Sequence, residues 1–260
     1  MNSQPSTMNY VGTWTLFKKE VRRFLKVYNQ TLLAPVITSL LFLAVFSLSL
    51  GSHVDKIGQI PFGEFMASGL IIMTIVQQVF ANASSTFIMG KVLGSMVDLL
   101  MPPLSAGEIV LAIVGASVLR GIMVGVISAV SILIFINYHV EHPLVVLFFV
   151  FAASIMLSLL GLLAGVLSDT FDQMAAITSY IITPLSFLSG TFYSTQNLPL
   201  FWQKVAHANP FFYMIDGFRY GMTGYSDGNV QLGAAVLVMM NVVLWLVVWK
   251  LIARGYRLKT

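Results

Sequence analysis

The stretch IVLAIVGASVLRGIMVGVISAVSILIFI, residues 109–136, carries a single charge, Arg120. A helix crosses a ~30 Å hydrocarbon core with roughly 20 apolar residues, so this run is long enough to span a membrane. Five further runs share its character: 31–51, 62–83, 144–167, 174–192 and 232–252. They account for well over half of a 260-residue chain that is 57% hydrophobic and 9% charged, with mean hydropathy +0.86. A soluble domain carries about 25% charged residues. No remaining segment is long enough to build a soluble domain with its own core. The expected fold class is an all-α integral membrane protein with six transmembrane helices, one domain over residues 1–260.

Basic residues accumulate on cytoplasmic flanks. With the N-terminus inside, the inner segments hold ten: Lys18, Lys19, Arg22, Arg23, Lys26, Lys91, Lys250, Arg254, Arg257 and Lys259. The outer ones hold three, Lys56, Lys204 and Arg219. Both termini are therefore expected in the cytoplasm. The basic lead-in before the first span, about 30 residues, and that span's length do not fit a cleaved signal peptide. A pI of 9.3 reflects this flank bias rather than nucleic-acid binding, which calls for a concentrated basic face on a soluble fold. The absence of cysteine excludes disulfides and thiolate chemistry.

Residues 13–29 place Trp14, Phe17, Val21, Phe24, Leu25 and Tyr28 at helical spacing, with Lys18, Lys19, Arg22, Arg23 and Lys26 opposite. That is the pattern of a helix in the membrane interface, gripping anionic lipid or docking a soluble partner. Arg120 sits about 12 residues into its span, ~18 Å deep by helix rise, where it must face protein or a wet cavity. Either a structural hydrogen bond to Gln77 or Gln78 or a place in a transport path accounts for it. Gly121 with Gly125, and Gly161 with Gly165, are small-xxx-small pairs that point to close helix packing. At SDTFDQ, Ser168 or Asp169 is placed to cap the next helix, or its two acids to meet a partner. Pro184 should kink the span over 174–192.

The segment after that span is too aromatic for a solvated loop. Phe201, Trp202, Phe211, Phe212, Tyr213, Phe218 and Tyr220 suit an interface, and 195–224 is expected to hold two short re-entrant helices. Asp216 and Arg219 share a face and are spaced to pair. Catalytic chemistry is missing: there is no HExxH, GxSxG or phosphate-binding loop. His139, Glu141 and His142 crowd one short loop without a fourth ligand, and His53 and His207 are isolated boundary residues.

Between the second and third spans lies GKVLGSMVDLLMPPLSAGE, residues 90–108, a short amphipathic element stopped by two prolines. With Pro184, FLSG at 187–190, Phe192, Leu198-Pro199, Asn209-Pro210, Tyr213, Asp216 and Arg219, the chain resembles the ABC type 2 permease family, and within it bacterial inner-membrane permeases of about this length. Ser194 stands where many members have proline. The resemblance implies that residues 92–104 form a coupling helix seated in a separate ATPase subunit, with Val92, Met96, Asp98, Leu99, Leu100, Pro102, Pro103 and Leu104 as its contacts. It implies a pair of copies of this chain in the cytoplasmic membrane, joined by two ATPase copies that bind the ATP and magnesium. It also suggests a path lined by Gln77, Gln78, Asn82 and Phe187, with Arg120 alongside, and outer residues Asn209, Pro210, Tyr213, Asp216 and Arg219 in the re-entrant element.

The few charges in the spans favour an amphipathic or lipidic cargo. Export of lipid-linked polysaccharide is the rival within the class; a nucleotide-independent channel or secondary transporter, and a non-transporting scaffold, are rivals outside it. The purified chain alone is expected to bind no nucleotide: equilibrium dialysis with labelled ATP should give background retention, and saturable retention would contradict the reading.

Overall fold

The computed structural model describes residues 8–50 and 56–257; Gly51, His53 and Lys259 lie outside them. Within these limits the protein is almost entirely helical. In chain order come α1 (Tyr10–Leu25), α2 (Ala34–Leu50), a small hairpin of β1 (Lys56–Ile57) and β2 (Ile60–Pro61), α3 (Phe62–Val92), α4 (Met96–Leu100) and α5 (Ala106–Leu133). Then follow α6 (Pro143–Leu167), α7 (Phe171–Ile177), α8 (Thr183–Leu188), α9 (Leu200–Ala208), α10 (Pro210–Thr223) and α11 (Val230–Ala253).

Among the described residues, five helices are long and apolar enough to cross a membrane: Asn29–Ser47, Phe62–Val92, Ala106–Leu133, Pro143–Leu167 and Val230–Ala253. The chain is thus an all-α multi-pass membrane protein. The run expected to be a span over 174–192 takes a different form. It is an interrupted helix in which α7 and α8 are joined by a π turn, Thr178–Ile182. The cause is Pro184, which has no N–H for the carbonyl four residues back. The turn widens just before it, and the N–H of Thr183 reaches Thr178 O. Pro35 repeats the device near the start of α2, where the N–H of Ala34 reaches Asn29 O across a π turn, Asn29–Leu33.

α3 is the hub. Its 31 residues make a rod of about 46 Å by helix rise, longer than the hydrocarbon core, so its end projects beyond the apolar layer. α6 crosses it backbone to backbone. A Cβ on Gly161 would stand 2.7 Å from Phe80 O, and one on Gly165 2.7 Å from Ser84 O. On α5, Gly121 and Gly125 leave room for Val79 and Ile75 of the same rod. Both glycine pairs therefore close on α3.

The N-terminal helix runs beside the bundle. Gly12 meets Leu104, Phe17 lies against Gly115, and further on Leu32 and Val36 cluster with Val124, so α1 and α2 descend along α5 in sequence. One end of the bundle gathers α1, α4, the start of α5 and the ends of α3, α6 and α11; it carries most of the lysines and arginines. The opposite end holds the hairpin, α9 and α10. Gly161→Val is expected to overpack the α3–α6 crossing and to lower stability by about 1–3 kcal/mol, read as a fall in Tm of the detergent-solubilised protein; an unchanged Tm would mean the crossing has slack.

Candidate functional site

At the basic end, the predicted element over 92–104 is more divided than its sequence suggests. Val92 is the last residue of α3, Gly94 turns the chain at φ 68°, and the separate helix α4 is one turn long. Pro102 and Pro103, both exposed, prevent its continuation. Met96 and Leu99 point inward: the Met96 sulfur packs on Gly90, and Leu99, 6% exposed, borders a cleft with Gly12 and Leu16 of α1 and Leu104. Val97, Leu100 and Met101 point outward, Leu100 at 39% and Met101 at 77% exposure, with Asp98 exposed among them.

This turn is braced from behind. Ser105 and Glu108 form a reciprocal capping box at the start of α5. The Glu108 carboxylate also accepts the backbone N–H of Asn9, while the Asn9 amide donates to Pro103 O at 3.3 Å and its carbonyl caps α1 by accepting from Gly12 N at 2.9 Å. One carboxylate therefore joins the starts of two helices to the exit of the loop. Lys91 is buried and donates to Val166 O (2.6 Å) and Ser168 O (2.8 Å), two carbonyls left open at the end of α6, and to Asp169 (3.3 Å). The cap of α7 is Thr170, not Ser168 or Asp169, because Asp169 is engaged by Lys91.

The basic face of α1 does not lie wholly opposite an apolar one. Its inward edge is Leu16, Glu20 and Phe24, while Trp14, Leu25 and Tyr28 are exposed. Lys18, Lys19, Arg22 and Lys26 face outward, but Arg23 turns inward, pairing with Glu20 at 2.9 Å and donating to Asn82 O at 2.8 Å. Burial pulls the Arg23 guanidinium below its ordinary value, and the Glu20 carboxylate partly restores it. Glu20 also accepts from Thr86 at 2.8 Å. Arg120 reaches the same place from α5. It donates to Gln78 Oε1 and, at 3.4 Å, to Asn82 Oδ1, which Arg23 also approaches at 3.4 Å.

Arg23, Asn82 and Arg120 line a cavity of about 680 Å³ whose rim is Lys18, Lys19, Arg22 and Lys26. Of the predicted path residues, Gln78, Asn82 and Arg120 are thus brought together. Gln77 borders a smaller cleft of about 270 Å³ against α2, shared with Gln30, Thr38 and Gln78. Phe187 stands apart, stacked on Phe192 at 5.3 Å.

At the far end, Asn209 caps α10 and Pro210 occupies its first turn, while Gly224 ends it at φ 72°. Phe211, Phe212 and Phe218 are buried against the bundle rather than set at its surface; Phe201 and Trp202 of α9 are the exposed pair. Tyr213 packs on Gly233 of α11. The expected Asp216–Arg219 pair does not form. Asp216 is held by Ser226 and by the N–H groups of Asp227 and Gly228, whereas buried Arg219 donates to Gly190 O (2.8 Å) and Thr191 O (3.3 Å) and covers the Phe65 ring at 3.7 Å. Between α5 and α6, the N–H groups of Glu141 and His142 bond to Met222 O and Gly221 O, and no group of three potential metal ligands converges among the described residues.

Residues 11–223 match the family described as "ABC-2 type transporter". The chain belongs to that family. It is also 35% identical over 251 residues to the inner membrane transport permease YadH of Escherichia coli K12, covering 96% of this chain and 98% of YadH. Nodulation protein J of Rhizobium leguminosarum bv. viciae is 26% identical over 95% of each chain, and that of Neorhizobium galegae 24% identical over 90% of this chain and 89% of its own.

Within this ABC-2 permease, Glu20, Glu108, Asn9, Lys91 and Asp227, whose carboxylate accepts from Ser194, Tyr225 and the N–H of Thr195, are structural anchors that no functional motif in the sequence singles out. The Ser105-x-x-Glu108 spacing is the one local signal for any of them. Glu108→Ala should detach the α1 start and unmake the capping box, lowering stability by about 1–2 kcal/mol. Thermal unfolding in detergent would show it, and limited proteolysis should cut ahead of α1; wild-type values in both would refute the anchor.

Proposed function

We propose that this ABC-2 permease is the membrane subunit of an ATP-driven exporter in a bacterial inner membrane, moving an amphipathic or lipidic cargo out of the cytoplasm or inner leaflet. It would act as two copies with two copies of a separate ATPase subunit, which bind ATP and magnesium. The observation that carries the reading is α4: an exposed apolar tip, Val97, Leu100 and Met101, on a turn pinned by Glu108, Met96 and Leu99. A tip so held can seat in a groove of another protein and pass a displacement to α3 and α5 instead of absorbing it. The chain has no phosphate-binding loop of its own, so the energy must enter through such a partner.

The distribution of positive charge supports a cytoplasmic position for the α4 end and for both termini. A sixth crossing by the π-interrupted segment from α7 to α8 would complete this even topology. The cleft holding Gln30, Thr38, Gln77 and Gln78 supports a paired assembly. Polar side chains at that depth face protein or water rather than hydrocarbon, and a second copy packed there would provide both.

The inward and outward residues of α4 separate the test into two arms. Truncating the tip, Val97→Ala with Leu100→Ala and Met101→Ala, should leave Tm unchanged but reduce ATPase co-purification at least tenfold, since interface apolar groups commonly contribute more than ~1.4 kcal/mol together. Leu99→Ala, a core truncation, should instead lower Tm. Full ATPase retention and nucleotide-dependent transport in the triple variant would overturn the exporter reading, as would flux without nucleotide.

A further inference from the structure

We infer that the cavity between α1, α3 and α5 is a binding site for the oxyanionic head of a membrane-embedded amphiphile, and that the cargo's head carries a phosphate-like charge. The cargo half of this rests on the exporter reading; the binding half does not.

Two guanidiniums meet at the floor. Arg120 and Arg23, from different helices, both approach Asn82 Oδ1, each at 3.4 Å. Glu20 is the carboxylate paired there, and it is spent on Arg23 and Thr86. Arg120 has neutral acceptors alone, Gln78 and Asn82, and its buried Nε–H has no acceptor. A guanidinium left uncompensated at membrane depth is strongly unfavourable. Both arginines border the cavity: Arg120 supplies an uncompensated charge beside it, and the Arg23 fork, 24% exposed, offers N–H groups to it, as planar recognition of an oxyanion requires.

The rim extends the same charge: Lys18, Lys19, Arg22 and Lys26 all border the cavity, and no carboxylate among the described residues lines it. Such a funnel draws an anion inward from the interface. Phe24, Val27 and Met89 add an apolar wall beside the hydroxyls of Thr15, Thr31 and Ser85. A free anion has no use for that wall, whereas the first carbons of a lipid tail do. At about 680 Å³ the space is of the size that small-molecule sites occupy, ample for a head group.

The test needs only the full-length permease in a neutral detergent, with native mass spectrometry reading the bound species. The probes are dioleoyl phosphatidic acid, dioleoyl phosphatidylcholine and inorganic phosphate. Phosphatidic acid should bind at least tenfold more tightly than phosphatidylcholine, and inorganic phosphate at equal concentration should not displace it. Arg120→Gln and Arg23→Gln should each weaken phosphatidic acid binding about tenfold, the scale of one charge-assisted hydrogen bond, without altering phosphatidylcholine. Arg120→Lys, which keeps the charge, should retain part of the affinity and controls for misfolding; Lys19→Gln at the rim should weaken binding less than either floor variant.

Equal retention of the two lipids, or phosphatidic acid binding indifferent to both glutamine variants, would overturn the site. Displacement by inorganic phosphate would overturn the tail's part in it. No nucleotide or ATPase enters these arms, so their failure leaves the exporter reading to its own experiment. In the reconstituted complex, phosphatidic acid should raise ATPase turnover in wild type and not in Arg120→Gln. Tight binding without that stimulation would overturn the cargo assignment and mark the occupant as a resident lipid.

Discussion

Everything in this protein is organised by the close approach of two backbones, those of α3 and α6. Inside a bilayer, apolar side chains gain little by leaving lipid for protein, so helices associate through packing density and hydrogen bonds. Gly161 and Gly165 bring the α6 backbone against Phe80 O and Ser84 O, and no side chain fits between. That contact holds one face of α3 immobile. Its opposite face can then carry polar groups without the helix rotating to hide them.

Those groups form a stripe. Gln78, Asn82, Thr86 and Gly90 recur every four residues, which places them in a row along one side of a helix. Gln78 holds Arg120, Asn82 meets both Arg120 and Arg23, Thr86 holds Glu20, and Gly90 seats Met96. The row thus ties α5, α1 and α4 to one rod. Small residues on one side and spaced polar residues on the other are two halves of the same constraint.

The large features are legible in the sequence because they follow from solvent exclusion. Apolar run length marks the long helices, and Asn209-Pro210 with Gly224 marks the bounds of α10 from side-chain geometry alone. The span over 174–192 differs in form because hydropathy reports an apolar run and is blind to a π turn; only the proline hints at it. The pairing of Asp216 with Arg219 fails for another reason. Spacing shows which residues share a face, but Gly190 and Thr191 present backbone carbonyls that no periodicity reveals, and Asp216 finds three donors in the turn after α10. The same spacing rule puts Arg23 on the outer basic face. A 16-residue helix packed lengthwise on α5 has no single outer face, and its inward edge takes Glu20 and Arg23 together.

That edge gives α1 two attachments at different heights. Near its start, Gly12 and Leu16 adjoin Leu99 and Leu104, and Asn9 is held by Glu108 and Pro103. About three turns on, Arg23 reaches the floor of the cavity through Asn82. On the exporter reading, a push on α4 enters α1 at the first attachment and α3 through Met96 and Gly90. Both elements meet again at Asn82. A displacement of α1 relative to α3 and the α5 packed on it must change the spacing of the two guanidiniums there, because Arg23 is carried by α1 and Arg120 by α5. If the cavity holds an anion as inferred, its affinity would then depend on where α4 stands, which is the differential binding that any coupling of nucleotide to cargo requires.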